Sequence, residues 1–241
     1  PKAIMTHVDL NLLALDTSTD QLSVAVQRAD GQRFAHTGAG GAQASASLIP
    51  AVQALLAQAG LSLSDLSAIA FGAGPGSFTG LRTACSVAQG LAWGAGVPVL
   101  PIDTLLAVAE AARSAHGATH VLALLDARMN EVYAAEYAWR DAAGWRPLSD
   151  IAVLAPEAVP TPGAGAVLAG NAFAAYADRL PAALQALPRI AALPSADALL
   201  NLAPALLAAG AAVPAEQALP LYIRDKVAQT TAERSAAGLA R

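Results

Sequence analysis

The chain has 241 residues, of which 55% are hydrophobic and 13% are charged, and its formal net charge is −4. This composition is too apolar for a disordered protein, and the length allows one large domain or two of about 100–150 residues. A stand-alone nucleic-acid-binding module usually carries a basic field, which this acidic chain lacks. Its single cysteine, Cys85, excludes a disulfide framework and a cysteine-based zinc site.

Targeting and membrane segments leave characteristic patterns near the start of a chain or in long apolar runs. No basic segment followed by a short apolar stretch opens this sequence, so we expect a cytosolic protein. Charge-free runs at residues 83–102 and 198–215 are interrupted by glycine and proline, whereas a bilayer requires about 20 strongly apolar residues in succession. We therefore predict no membrane span. Residues 1–9 follow no pattern, and we treat them as an N-terminal extension.

The first hundred residues alternate between the period of a strand and the period of a helix. In chain order, we predict strands at residues 10–15, 21–28 and 33–37, a helix at 47–60, a strand at 68–71, a helix ending near 94 and a strand at 97–100. Polar turns separate the first three strands, which favours an antiparallel meander. The order is therefore βββαβα with a short final strand.

The beginning of this order recurs in the second half. Residues 122–126 and 131–137 repeat the earlier strand, turn and strand, and Asp126 falls 110 positions after Asp16 (126 − 16). A duplicated domain of about 110 residues is the simplest explanation.

This duplication divides the chain into an N-terminal domain, residues 10–103, and a C-terminal domain, residues 104–241. A helix at 104–116 would connect them. The C-terminal domain is richer in proline and less regular, with weaker helices predicted at 172–184 and 196–210. Its last segment could pack back on the first domain.

The predicted fold class is α/β, and two meanders that each end their first strand in a carboxylate resemble the actin-like architecture of sugar kinases and Hsp70 (ASKHA). In that fold the two first turns face each other across a nucleotide cleft. The likeness is one of fold, and fold alone does not determine activity. The residues that we expect to line a vestigial cleft are Asp16, Thr17, Ser18, Gly74, Pro75, Gly76, Ser77 and Asp126.

A glycine-rich loop joins the second buried strand to the second helix, with four glycines at positions 72, 74, 76 and 80. Such a loop lets the backbone approach a partner group closely, and the following helix start could bind an anion. The spacing matches neither a Walker A loop nor G-x-G-x-x-G, so a tight turn fixed by Pro75 is the simpler interpretation. Ser77 fits a helix N-cap better than a nucleophile.

Three further polar groups have both a structural and a functional interpretation. Asp16 and Asp126 could hold Mg²⁺ through water, but each alone is an ordinary turn residue, and Arg128 could pair with Asp126 instead of a ligand. His116 and His120 have metal-ligand spacing on a helix, but Gly117 interrupts that helix. We therefore predict no metal site and no catalytic residue.

Residues 74–82, Gly-Pro-Gly-Ser-Phe-Thr-Gly-Leu-Arg, resemble the bacterial TsaB (YeaZ) family of the tRNA threonylcarbamoyladenosine machinery. Four more segments agree in order, at residues 13–19, 48–50, 126–133 and 220–225, and the resemblance covers nearly the whole chain. It implies a non-catalytic scaffold that supports the catalytic paralogue TsaD, which transfers threonylcarbamoyl to adenosine 37 of tRNAs that decode ANN codons. The ATPase TsaE is the other implied partner, and tRNA is reached only through the complex.

The resemblance also bears on chemistry and assembly. TsaD carries an H-x-x-x-H metal motif, and the corresponding positions here fall near Thr104 and Val108, which cannot replace imidazole. No cofactor is therefore required, and nucleotide binding in the cleft is not expected. Without TsaD, we expect the chain to form a homodimer.

The two predicted helices carry apolar or small residues on most sides, which is typical of a deep core or a protein interface. From this pattern we predict a partner surface made of Leu48, Ala51, Val52, Leu55, Ala84, Ala88, Leu91 and Ala92. The alternative function is an actin-like ATP-dependent phosphotransferase or a metal-dependent enzyme of that superfamily. A phosphotransferase needs an acidic base and a phosphate-binding turn supported by Lys or Arg, and Asp16 and Asp126 supply only part of that set.

Overall fold

The computed structural model describes residues 9–141 and 143–223. Its strands are β1 (Leu12–Asp16), β2 (Gln21–Gln27), β3 (Arg33–Ala39), β4 (Ala68–Gly74), β5 (Val99–Asp103), β6 (His120–Arg128), β7 (Glu131–Arg140), β8 (Gly144–Pro147), β9 (Ala152–Leu154), β10 (Val167–Gly170) and β11 (Arg189–Ala191). Its helices are α1 (Ala44–Ala59), α2 (Phe78–Ala95), α3 (Thr104–His116), α4 (Ala172–Tyr176), α5 (Ala182–Gln185) and α6 (Ala196–Ala208).

The first sheet has the strand order β3-β2-β1-β4-β5. Strands β1, β2 and β3 form the predicted antiparallel meander, while β4 pairs parallel to both β1 and β5. Strand β1 is buried on both faces, as its apolar run predicts for a central strand. Its odd-numbered residues, such as Leu13, face a cluster with α1 and α2, and its even-numbered residues, such as Ala14, face α6.

The second sheet has the order β11-β10-β6-β7-β8, with β9 also paired to β7. Its central hairpin repeats the hairpin of the first sheet, because Asp126 pairs opposite Val132 as Asp16 pairs opposite Ser23. The predicted helix at 172–184 is two short helices, α4 and α5, separated by residues 177–181. Pro181, which has no backbone N–H to donate, ends that interruption and caps α5.

Helix α3 joins the two halves and packs against both. Ala107 belongs to the core of the first sheet, whereas Leu105 and Val108 belong to the core of the second. Helix α6, although it follows the second sheet in sequence, packs on the first sheet and on α3. This arrangement fixes the turn after β1 and the turn after β6 on opposite walls of one cleft.

None of the helices within the described residues is both long and apolar enough to cross a membrane. The run at 83–102 lies mostly in α2 and ends in β5, and the run at 198–215 lies mostly in α6. Residues 1–8, most of the predicted N-terminal extension, lie outside the described residues.

Candidate functional site

A cavity of ≈ 320 Å³ lies between the two sheets, bounded by the turns after β1 and β6, the start of α2 and residues 221–223. Of the eight residues predicted for a cleft, Ser18, Gly76, Ser77 and Asp126 line it. The other four, Asp16, Thr17, Gly74 and Pro75, are buried behind its wall. The turn motifs thus do meet across a cleft, but only one of the two aspartates faces it.

Asp16 is sealed inside the first domain. Its Oδ1 accepts hydrogen bonds from the backbone N–H of Ser18 at 2.9 Å and from Ser18 Oγ at 2.8 Å. Its Oδ2 is buried and has no hydrogen-bond partner among the described residues. Gly72 lies so close to Oδ2 that a Cβ there would overlap it. Loss of hydration raises the pKa of Asp16 from 3.8 to about 6. The carboxyl packs against Gly72 of β4 and does not line the cleft.

The glycine-rich loop approaches the chain's own backbone. Ser77 N–H donates to Ser18 O at 2.7 Å, and a Cβ on Gly76 would lie 2.6 Å from that same oxygen. Thr17 Oγ1 donates to Gly80 O at 2.7 Å, and a Cβ on Gly80 would overlap the carbonyl of Thr17. The glycines are therefore required so that the loop and the first turn can touch. Ser77 is the N-cap of α2, as predicted.

The charge of Asp126 is balanced by residues close to it. Asp126 Oδ1 accepts from Arg128 N–H at 2.8 Å and from Tyr176 OH at 2.9 Å, while Arg128 Nη1 lies 3.4 Å from Oδ2. Arg128 Nη2 also lies 2.6 Å from Asp20 Oδ2, on the opposite wall. The predicted pairing of Arg128 with Asp126 is confirmed, and the same guanidinium bridges the mouth of the cleft. Asp20 is not among the residues predicted for the cleft, although it closes the first turn.

Most of the remaining wall is apolar or aromatic. The side chains come from α2, from the β6–β7 hairpin and from the end of the described chain, and they are Phe78, Leu81, Leu125, Met129, Tyr133, Leu221, Tyr222 and Ile223. Among the described residues that line the cavity, Arg128 is the single basic one, and two carboxylates already contact it. A polyphosphate needs several cationic groups or an open nest of amides, so these walls suit it poorly.

Thr104 and Val108 of α3, the two positions at which the family resemblance implies the metal motif of TsaD, are part of the core. Thr104 is fully buried, and its Oγ1 donates to Pro75 O. Val108 packs in the cluster that supports the second sheet. Within residues 9–141 and 143–223, no three His, Cys, Asp or Glu side chains come close enough to hold a metal ion. His120 instead contacts Glu136 at 2.6 Å.

The residues predicted as a partner surface need correction. Six of them, Leu48, Val52, Leu55, Ala84, Ala88 and Ala92, are buried in this chain's own core against the first sheet, and Ala51 and Leu91 are half-buried. Helical periodicity selects the face of each helix that packs on the first sheet, where α1 lies on β2 and β3 and α2 lies on β4 and β1. Any docking surface on these helices must use their outward residues, which include Ile49 on α1 and Trp93 on α2.

The chain is similar to known proteins over most of its length. A family model described as TsaD, tRNA N6-adenosine threonylcarbamoyltransferase, matches residues 40–232. The tRNA threonylcarbamoyladenosine biosynthesis protein TsaB of Escherichia coli K12 is 38% identical over 224 residues, which is 91% of this chain and 96% of that relative. The TsaB protein of Haemophilus influenzae is 47% identical over 125 residues, 52% of each chain.

A solved structure, YeaZ from Pseudomonas aeruginosa, is 41% identical and superposes with a TM-score of 0.82 over 88% of this chain and 99% of that one. Together with the two sheets, this similarity confirms the predicted two-domain actin-like fold. Because a TsaB relative aligns over nearly its whole length and the family model covers most of the sequence, the chain belongs to the TsaB (YeaZ) family.

Proposed function

We propose that this chain takes part in tRNA threonylcarbamoyladenosine biosynthesis as a non-catalytic subunit that binds and supports TsaD. The observation that carries the proposal is the packed interior at Thr104 and Val108, where the resemblance to TsaD would require two metal-binding imidazoles. A threonine and a valine there supply hydrogen bonding and packing, and neither can ligate a transition metal in place of imidazole. The chemistry must then reside in the partner, which transfers threonylcarbamoyl to adenosine 37 of ANN-decoding tRNAs.

The phosphotransferase alternative has weaker support. Asp16, its best candidate for a catalytic base, does not line the cleft, and Asp126 is already paired with Arg128. A phosphoryl-transfer site would also need a free basic residue at the glycine-rich loop, whereas Arg82, in the helix that follows it, is hydrogen-bonded to Tyr222 and lies over the Phe78 ring. We therefore treat the cavity as a remnant of the fold, with no required cofactor.

The outward faces of α1 and α2 are the surface that best fits TsaD. Trp93 is 72% exposed, and Ile49 on the neighbouring helix is 42% exposed. Gly90 lies one turn before Trp93 on the same face, and a Cβ there would meet nothing within 4 Å. A large exposed aromatic beside a flat glycine surface allows another helix to approach closely and bury the ring. In the absence of TsaD, a second copy of this chain would use the same face.

The wider assembly follows from the same proposal. TsaE would join the TsaD-bound form, and tRNA would be held through the partners, since the net charge of −4 gives this subunit no basic field of its own. The site of action is the cytoplasm.

A matched pair of substitutions tests the docking surface. Trp93→Arg places a charge at the centre of the proposed interface, whereas Leu148→Arg changes another exposed apolar residue, beyond β8 in the second domain. We expect Trp93→Arg to abolish co-elution with purified TsaD and the support of tRNA modification, while remaining folded by circular dichroism. Leu148→Arg should behave like the unchanged protein. Co-elution of the Trp93→Arg variant with TsaD would refute the proposed surface.

A further inference from the structure

One segment of the family resemblance, residues 220–225, has no role in the proposed function. Residues 220–223 of it are described and form part of a strap, which we define as residues 218–223; Arg224 and Asp225 lie outside the described residues. The strap has no helix or strand of its own. It leaves the first domain beside α2 and ends at the cleft, where Leu221, Tyr222 and Ile223 all line the cavity.

The beginning of the strap covers the thiol of Cys85. Ala218 is fully buried, and its carbonyl accepts from Gln89 Nε2 at 2.8 Å and from Cys85 Sγ at 3.4 Å. Cys85 itself is only 4% exposed. The thiol is thus shielded in part by a segment that is 133 positions away in sequence.

The middle of the strap lies on the glycine-rich loop. Leu221 N–H donates to Ala73 O at 2.7 Å. Gly74 has a φ of +130°, and a Cβ there would lie 2.5 Å from Leu221 O. Glycine is therefore required at this position for two reasons: the backbone has a positive φ, and a side chain would overlap the strap.

The end of the strap is held by Arg82 and by the ring of Phe78. Arg82 Nε donates to Tyr222 OH at 2.9 Å, and its guanidinium lies 3.8 Å from the centroid of the Phe78 ring. The rings of Phe78 and Tyr222 are 5.5 Å apart. Ile223 then packs against the core of the second sheet, so the strap spans both walls of the cleft.

Among the residues that the structure describes these contacts are few, and the outer side of the strap is open to solvent. Leu219 is 70% exposed and Tyr222 is 45% exposed. A segment held by a handful of partly exposed contacts can open with a much smaller free-energy cost than the core strands. We propose that the strap is a gate, which opens as a unit while both sheets stay folded and thereby uncovers the cleft and the Cys85 thiol.

The single cysteine of the chain gives a direct measure of this opening. The rate at which 5,5′-dithiobis(2-nitrobenzoic acid) modifies Cys85 under native conditions reports how often Ala218 lifts from it. Loss of the Arg82 hydrogen bond and the ring contact in Tyr222→Ala should raise that rate about tenfold. Tyr222→Phe, which keeps the ring, should show a smaller increase. Leu219→Ala, an exposed residue of the same strap, is the matched control and should leave the rate unchanged.

Two further measurements separate gate opening from general loss of stability. The modification rate should rise only weakly with low urea, because local opening exposes little surface. Hydrogen exchange should show the Leu221 amide exchanging faster than the amides of β1 in the unchanged protein. The gate is refuted if Cys85 reacts with the same urea dependence as global unfolding, if Tyr222→Ala reacts no faster than Leu219→Ala, or if Leu221 and β1 exchange together.

Discussion

The buried carboxyl of Asp16 makes the stability of this protein depend on pH in a predictable direction. Its pKa is about 6 in the folded chain and 3.8 when hydrated, so the folded state holds the proton more tightly than the unfolded state. Folding is therefore favoured by this group below about pH 4, and that contribution is lost as the pH rises through 6. The difference in pKa corresponds to about 3 kcal/mol at neutral pH, as an upper bound.

Asp16→Asn removes the ionisation while keeping an oxygen that can accept the two hydrogen bonds from Ser18. Relative to the unchanged protein, the variant should gain about 3 kcal/mol in total between low pH and pH 7, of which about 2.4 kcal/mol should develop between pH 4 and pH 7. For a chain of this size that gain corresponds to a rise in Tm of about 6–12 °C at neutral pH. Asp150→Asn, at an exposed carboxylate, is the control and should stay within about 0.5 kcal/mol at each pH.

Urea unfolding at pH 4, 5, 6 and 7 measures these differences directly. Other carboxyls contribute to the pH profile of the unchanged protein, since burial also raises the pKa of Asp103 while hydrogen bonds lower the pKa of Glu110. The test is therefore the difference between variant and unchanged protein, in which those contributions cancel. A difference that is the same at pH 4 and pH 7 would refute the description of Asp16 as a buried, partly unpartnered carboxyl.

Further predictions concern the loop, an exposed helix position and the bridge across the cleft. Gly80→Ala should destabilise the chain by about 3 kcal/mol or more in urea unfolding, because its Cβ would overlap the carbonyl of Thr17. Gly90→Ala, in the same helix but in open space, should stabilise the isolated chain by about 1 kcal/mol, and a loss of stability would contradict the geometry. Arg128→Ala should cost under about 1 kcal/mol, because its pairs with Asp20 and Asp126 lie at an exposed cleft mouth.

Local periodicity was sufficient to predict much of the fold. The alternation in residues 21–28 and the helical pattern that ends at Gly60 were confirmed because each depends on neighbours in sequence. Gly60 takes a φ of +65° as the C-cap of α1, which is the conformation that its position predicts. The repeat also predicted correctly that Asp126 would sit opposite the first turn, since duplication preserves topology.

Contacts between distant residues could not be predicted in the same way. An apolar stripe on a helix gives the same sequence pattern whether it packs on its own sheet or on another protein. For this reason the pattern predicts Leu48 and Ala88 at a partner surface, whereas they lie in the core. The strap has no periodicity, and Tyr222 meets Arg82 across 140 positions of sequence. The break in the helix predicted at 172–184 is a different case, because Pro181 is a local signal for a helix boundary that the alanine-rich pattern around it outweighs in the prediction.

The central claim is that this chain supports the chemistry of TsaD without performing it. Formation of N6-threonylcarbamoyladenosine on an ANN-decoding tRNA, supplied with purified TsaD, TsaE and the threonylcarbamoyl donor, tests the claim most directly. Product formation should rise with added chain and saturate at a fixed ratio to TsaD, and the chain without TsaD should give no product. Product formed by this chain in the absence of TsaD, or an unchanged rate when it is omitted, would contradict the account.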